Sequence, residues 1–451
     1  HLSVHSFPTR RSSDLWQWFG YYVTRSSEES EPWSAAGQDG PEQCLATRAT
    51  PVVFTEYTVD LCADAGRAWG RRPESLLVTG LWIGASGAEG QQATFDSIAV
   101  VSGGYVPAQQ EGESTPMRIA RFVADSSIAS YDVGGWGTGV SWWDGTMMYA
   151  IGKAFEATGD AAYADYIKDW AGRYLDTEYR PHDPNTSCPG GAVMILYKAT
   201  GSDRYRAIGG NIADWLLEKS RRAADGTVIH AKGGAYVDSL FMMAPVLARY
   251  SQATGKGRYI DMAAEQFILH AKHLQHRETG LFYHAWFVEK EQHSPCLWSR
   301  GNGWVTMALA ETLDYMPADH SKRDELLAIL RAQVAGLART QSENGLWHNV
   351  LNRPDAWTET SGTAMFTFGI AKAVRKGWVD PGYATVAQKA WNGLLDHVSP
   401  GGYVRKVQSA SGPGDFAYYQ KNGPVDATVP YGTGPFIMAA LEMAKSADSA
   451  E

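Results

Sequence analysis

Three segments of this chain repeat one pattern. In AFEATGDAAYADYIKDW, LYKATGSDRYRAIGGNIADWL and RYSQATGKGRYIDMAAEQFI an amphipathic stretch ends in Ala-Thr-Gly, and a Tyr follows the Gly by four positions: Gly159 with Tyr163, Gly201 with Tyr205, Gly255 with Tyr259. A Gly just past a helix takes the left-handed conformation that closes it, and a short polar link then starts an antiparallel partner. Helical hairpins recurring about every 40–55 residues mark a repeated α/α architecture. Less regular pairs follow, 303–315 with 324–339 and 361–376 with 383–397, and a closing helix is expected over 434–445. This inventory of about eleven or twelve helices predicts a mainly α fold, an (α/α)6 barrel over 117–451. Its inner helices surround one funnel, and their loops form its mouth.

The chain before the barrel has a different texture. Within 16–106, FGYYVTR, VVFTEYTVDL, LLVTGLWIGA and ATFDSIAVVSG are β-branched and aromatic runs between Gly, Pro, Ser and Glu clusters. They predict strands of a partial, jelly-roll-like β-sandwich, either sugar-binding or a packing module. The polar run PAQQEGESTP, 107–116, reads as a linker. HLSVHSFPTRRSSDL, 1–15, shows no helical or strand periodicity, and HSFPTRRSSDL resembles one reading frame of a sequencing adapter. Residues 1–15 are therefore expected to be foreign to the protein, with any export signal outside this sequence.

Composition narrows the partners. Charged residues make up 20% and hydrophobic residues 44% of the 451, with net charge −9, the balance of a soluble globular protein. No Lys/Arg run interleaves with aromatics, which argues against nucleic acid, and no apolar span of about 18 residues predicts a membrane helix. Cys44, Cys62, Cys188 and Cys296 form no CxxC and no tight Cys/His cluster, which argues against zinc. Cys44 and Cys62 suit one disulfide in an exported protein and equally suit free thiols; export to the periplasm or beyond rests on that pair and on the appended sandwich. A monomer or weak homo-oligomer is expected. The 17 Trp and 22 Tyr leave room for a carbohydrate site, because sugar rings stack on their faces.

In GGAYVDSLFMMAP, Asp238 heads an almost wholly apolar helix. An Asp there is commonly an N-cap, worth about 1 kcal/mol. In the barrel, however, the N-terminal ends of inner helices face the funnel, and Tyr236, Met242 and Met243 surround this carboxyl in sequence. Loss of solvation against such walls favours the neutral acid, so a raised pKa and a proton-donor role near neutral pH are expected.

YVDSLFM, GLFYHAW, WSRGNGW, GLWHNVLNRPDAWTETSGTAMF and VPYGTGPFIMAALEM occur in the order seen in unsaturated rhamnogalacturonyl hydrolases, glycoside hydrolase family 105, with family 88 as a relative. The resemblance runs from about residue 131 to 445. It implies removal of a 4,5-unsaturated uronic acid from lyase-generated oligosaccharides, with no metal or organic cofactor. Asp238 protonates C4 of the enol ether, and its carboxylate then helps water attack C5; the hemiketal opens and releases the neighbouring sugar. Most glycosidases instead set two carboxylates across the glycosidic bond.

The resemblance also implies that His284 and Arg300 contact the uronyl end and that Trp298 walls the same subsite. Arg can grip a carboxylate by two parallel hydrogen bonds. The plain structural alternatives are a core histidine and a helix-start salt bridge. His230 transfers on the condition that the loop before Asp238 is shorter than usual for the family. A second acid is expected at the start of the preceding inner helix, where RPHDPNTSCPGGAV offers Asp183, or Asn185 with the charge lost. Phe287 stands after HAW, where many members carry an acid. Asp144 in SWWDG is a further candidate for the mouth, with Trp142 or Trp143 beside it, Trp143 being equally suited to the core. Two other readings remain: a saturated glycosidase such as a glucuronidase, or a sugar isomerase, on the same barrel, and a non-catalytic carbohydrate-binding protein.

Overall fold

The three Ala-Thr-Gly stops close helices as their sequence requires. Gly159, Gly201 and Gly255 have φ of 71°, 66° and 70°, and their N–H groups donate to the carbonyls of Phe155, Tyr197 and Ser251. Only glycine adopts this backbone without strain. The Tyr that follows tethers neighbouring hairpins: Tyr163 donates to Asp125 and Tyr259 to Asp214, each on the preceding outer helix.

This computed structural model describes residues 113–131, 139–399 and 401–448, together with the backbone of four N-terminal strands. The chain divides into two compact units, 1–105 and 106–451. In the second unit, six helices pack side to side in a closed ring: Trp142–Thr158, Gly190–Thr200, Asp238–Thr254, Ser299–Tyr315, Thr360–Arg375 and Pro430–Asp448, the last returning to the first. Six others lie outside them: Thr115–Tyr131, Ala161–Tyr174, Asp203–Glu218, Arg258–Leu274, Arg323–Thr340 and Ala384–Leu395. Inner and outer helices alternate along the chain, so the inner six run parallel and gather their N-termini at one end. The inner Asp238–Thr254 and Ser299–Tyr315 are buried almost throughout, as a helix enclosed on all sides must be.

Two helices escape the pattern-based count. Thr115–Tyr131 has no Ala-Thr-Gly stop and follows a polar run, so it begins inside the expected linker. Phe416–Lys421 spans only six residues and starts at an Asp415 cap, whose Oδ1 accepts from Tyr418 N at 2.8 Å.

In the first unit, Leu2–Pro8 (β1), Gln17–Val23 (β2), Cys44–Thr50 (β3) and Leu81–Ile83 (β4) form one sheet in the order β3-β2-β1-β4. The two packed sheets of the expected sandwich are not found among the described strands. β1 lies in the segment read as having no strand character; backbone pairing with β2, Leu2 opposite Val23 to Pro8 opposite Gln17, organises it without side-chain periodicity. The expected strands around 52–61 and 93–103, and the side chains of Cys44 and Cys62, lie outside the described residues.

At the C-terminal halves of the inner helices, a buried ion network crosses the ring. Glu311 is 0% exposed; it takes Lys372 Nζ at 2.7 Å, Lys153 Nζ at 3.5 Å and the Tyr149 hydroxyl. Arg249 grips Glu156 through two hydrogen bonds of 2.9 and 2.7 Å and approaches Glu311 at 4.0 Å. Basic groups here also offset the negative ends of the helix dipoles. Among the described residues, no helix is long and apolar enough to cross a membrane.

Candidate active site

The site is assembled where a strand pair meets a helix start. Gly234–Tyr236 pairs antiparallel with Ala285–Phe287, Tyr236 opposite Ala285, and the ladder continues as Val237 N–H donates to His284 O at 3.0 Å. The helix then begins at Asp238, so its side chain emerges directly beside His284. Val237 is the N-cap and makes no side-chain capping bond, and the capping role open to Asp238 from sequence is not taken up.

Asp238 Oδ2 lies 3.0 Å from His284 Nε2, as a charge contact off the line of a hydrogen bond; this buried oxygen has no hydrogen-bond partner. The Asp238 side chain is 17% exposed and that of His284 1%. On its other edge His284 Nδ1 meets the Tyr419 hydroxyl at 2.7 Å. Trp298 stacks on the imidazole at 4.3 Å between centroids, and Tyr236 meets it edge-on at 5.6 Å.

Electrostatics correct one expectation. Burial does push the Asp238 carboxyl up, but the charge available on His284, and more weakly on His230, outweighs burial and holds it below the usual carboxylate range. The aromatic and apolar neighbours in sequence are present, Tyr236, Met242 and Met243 all being buried, yet the decisive neighbour arrives from a distant loop.

WSRGNGW packs beside His284, and five of its seven positions have a task. Trp298 is the N-cap residue of Ser299–Tyr315; its Nε1 donates to Gln408 Oε1 at 2.9 Å. It is buried behind His284, which corrects its expected role as a wall facing substrate. Ser299 donates to Glu359 Oε1 at 2.8 Å. Asn302 locks the backbone of Phe282, accepting from its N–H at 2.7 Å and donating to its carbonyl at 2.8 Å, and so fixes the segment that leads to His284. Gly303 lets Thr360–Arg375 approach, since a Cβ there would sit 2.5 Å from Met365 Sδ.

Arg300 departs from both sequence readings. It is 1% exposed and lies between the rings of Trp298 and Tyr431, at 4.5 and 4.8 Å. Nη1 donates to Gln408 O at 2.6 Å and Ser361 Oγ at 3.2 Å, and Nη2 to Ser409 O at 2.8 Å. The fork expected for a carboxylate thus holds two backbone carbonyls, and the expected helix-start salt bridge is replaced by a relay: Ser361 Oγ accepts from Arg300 and donates to Glu359 Oε2 at 2.6 Å. We predict that Arg300→Ala, by orphaning buried carbonyls, costs about 2–3 kcal/mol and accelerates hydrogen exchange across 404–414. Unchanged exchange there would mean that this segment, a strap over Arg300, is held by something else.

His230 joins the site: its ring stacks on Tyr236 at 4.8 Å and Nδ1 meets Ser239 Oγ at 2.9 Å. Burial lowers its pKa, while the charges of Asp238 and Asp183 oppose that shift. Asp183 Oδ1 accepts from Thr186 N and Oγ1, both at 2.9 Å, capping the turn Asn185–Ser187 that packs on the Asp238 helix. Asp183 therefore reaches the site as a charge on His230 from a capping position. Asp144 is buried and accepts from Ser141 N at 3.1 Å at the start of the first inner helix. Trp142, more than Trp143, turns toward the site, with Tyr431 at 5.1 Å and Trp304 at 6.1 Å; Trp143 sits half-buried beside it, outside the core.

Tyr419, Gln408 and Ser409 were not legible as site residues. Tyr419 is wholly buried, with Asn349 Nδ2 donating to its carbonyl at 3.2 Å. The only signal is the Asp415 cap before FAYY, which predicts a helical turn and nothing of its target. Among the described residues, no group of three or more His, Cys, Asp or Glu could hold a metal ion.

The sequence profile of Glycosyl Hydrolase Family 88 matches residues 119–447. The unsaturated rhamnogalacturonyl hydrolase YesR of Bacillus subtilis is 30% identical over 279 residues, 60% of this chain and 79% of that protein. The unsaturated 3S-rhamnoglycuronyl hydrolase of Formosa agariphila is 32% identical over 327 residues, 67% of this chain and 84% of the relative. A crystal structure of a possible GH105 member from Klebsiella pneumoniae superposes with TM-score 0.69 at 28% identity, covering 78% of this chain and 99% of that one.

Proposed function

The chain belongs to Glycosyl Hydrolase Family 88 and is a glycoside hydrolase, and on that premise we propose that it removes a 4,5-unsaturated uronic acid from the non-reducing end of lyase-generated, rhamnogalacturonan-type oligosaccharides. The observation that carries the proposal is the buried, unbonded Oδ2 of Asp238, 3.0 Å from His284 Nε2 at the head of an inner helix. A carboxyl oxygen so placed is free to give a proton to carbon and then to take one from water.

The incoming uronate shifts the balance toward the acid form. Its carboxylate is a like charge beside Asp238 and favours the protonated acid. Six inner-helix N-termini converge on the mouth, and together with the buried Arg300 charge they favour an anionic ligand. Asp238 then protonates C4, the double-bond electrons forming the new C–H bond. Water, losing a proton to the Asp238 carboxylate, adds at C5. The hemiketal opens and expels the neighbouring sugar. Rhamnose as that sugar is suggested by the names of the two relatives.

The test follows the ultraviolet absorbance of the conjugated uronate in lyase-cut rhamnogalacturonan mixed with the purified chain. A falling signal is expected. A flat signal there, and on glucuronan, ulvan and glycosaminoglycan lyase products as well, would refute the proposal and return attention to a saturated glycoside.

A further inference from the structure

We infer that Tyr419 is a positioning residue, whose hydroxyl donates to His284 Nδ1 and so fixes the tautomer in which the imidazole presents Nε2–H to Asp238. The inference rests on the proposed proton transfer from Asp238.

The hydrogen-bond accounting around Tyr419 has one solution. The backbone N–H of Gly414 lies 3.4 Å from the Tyr419 oxygen, and an N–H can only donate, so the oxygen accepts there. Tyr419 is wholly buried, and its hydroxyl proton has one acceptor within reach, Nδ1 of His284 at 2.7 Å. Nδ1 is then the unprotonated nitrogen, and neutral His284 carries its proton on Nε2, facing Asp238. A proton added to Nδ1 would turn that edge into a second donor toward the Tyr419 oxygen. The buried hydroxyl proton would lose its acceptor, so these two contacts favour the tautomer with Nδ1 unprotonated.

The consequence falls on Asp238. Once the Asp238 proton moves to C4, the carboxylate left behind faces an Nε2–H already in place, whereas the other tautomer would turn a lone pair toward it.

Other titratable groups face the pair: His230 from the preceding turn, Tyr236 from the strand, Arg300 from Ser299–Tyr315, and Asp183 through His230. None of these groups hydrogen-bonds to Nδ1, so the choice of tautomer falls to Tyr419. The hydroxyl is held by the chain around it: Trp298 stacks on its ring at 5.7 Å, and Arg300 pins the strap at Gln408 and Ser409.

Two readouts test this. In the substrate-free protein, 15N NMR of the neutral His284 ring, assigned by difference against His284→Gln, should show the proton on Nε2 and none on Nδ1, and Tyr419→Phe should show a measurable fraction of the Nδ1–H tautomer. In turnover, Tyr419→Phe should lower kcat about tenfold or more with little change in KM. A packing role alone would leave the tautomer unchanged. A protonated Nδ1 in the neutral ring of the parent protein, or an unchanged tautomer in a folded Tyr419→Phe, would overturn the inference. Because the NMR readout needs no substrate, an unprotonated Nδ1 in a protein inactive on every unsaturated uronide would sink the functional reading and leave the proton placement standing.

Discussion

Asp238→Asn should fold normally and lose at least about a thousandfold in kcat, within the range that removing a general acid–base produces. The amide has the size and shape of the carboxyl, and the helix start does not depend on it, because Val237 and not Asp238 is the N-cap and no side-chain cap is made. It removes the carboxylate oxygen in contact with His284 Nε2. No amide proton is acidic enough to reach C4, and no amide takes a proton from water at C5. Both half-steps fail together, so the loss falls on kcat and exceeds any change in KM. The check is kcat and KM by loss of uronate absorbance, with a melting curve to show the fold intact. Parent-like turnover in the folded variant would remove Asp238 from the mechanism.

The second large effect lies at the other end of the barrel and concerns stability alone. Glu311→Gln should cost about 2–3 kcal/mol, because Lys372, Lys153 and Arg249 lose a buried counter-charge and are left with Asp314 and Glu156 alone. Acid should do the same to the parent. Burial would raise the Glu311 carboxyl, but the three cations hold it well below 4.5. For Glu156, burial is likewise outweighed by Arg249, which takes it from 4.5 to about 2. Both folded values are depressed, so their contribution is complete above the unfolded value of about 4.3 and is lost as pH falls through the folded ones. Denaturant melts from pH 7 down to about 2 should show parent stability dropping steeply below about 4.3 and Glu311→Gln dropping less. Equal stability of the two at pH 7 would show that the network carries no such weight. Turnover per folded molecule should be unaffected.

What the sequence disclosed follows from how local each signal is. The glycine stops Gly159, Gly201 and Gly255 are purely local devices, and with the apolar period between them they disclosed the hairpins. Asp238 stood out because a charge at the head of a buried helix has few reasons to be there. WSRGNGW was legible as a motif, but its roles were not: only the folded chain shows Asn302 bonded to the Phe282 backbone and Arg300 closed on Gln408 and Ser409. The Asp238 environment was misjudged for the same reason. Tyr236, Met242 and Met243 are close in sequence, whereas His284 is brought by strand pairing and Tyr419 by a six-residue helix with no periodicity to announce it. The first unit was harder still, since β1 owes its strand to the neighbour it pairs with.

The central claim is that the bond order of the uronate changes before the glycosidic bond is lost. One time course measures it directly, recording double-bond absorbance and newly released reducing sugar in the same reaction, beside a saturated analogue of the same oligosaccharide. The account predicts that absorbance falls no later than sugar appears, in equal molar amounts, and that the saturated analogue is untouched. Sugar released while the absorbance persists, or release from the saturated analogue, would show that Asp238 serves ordinary glycoside cleavage.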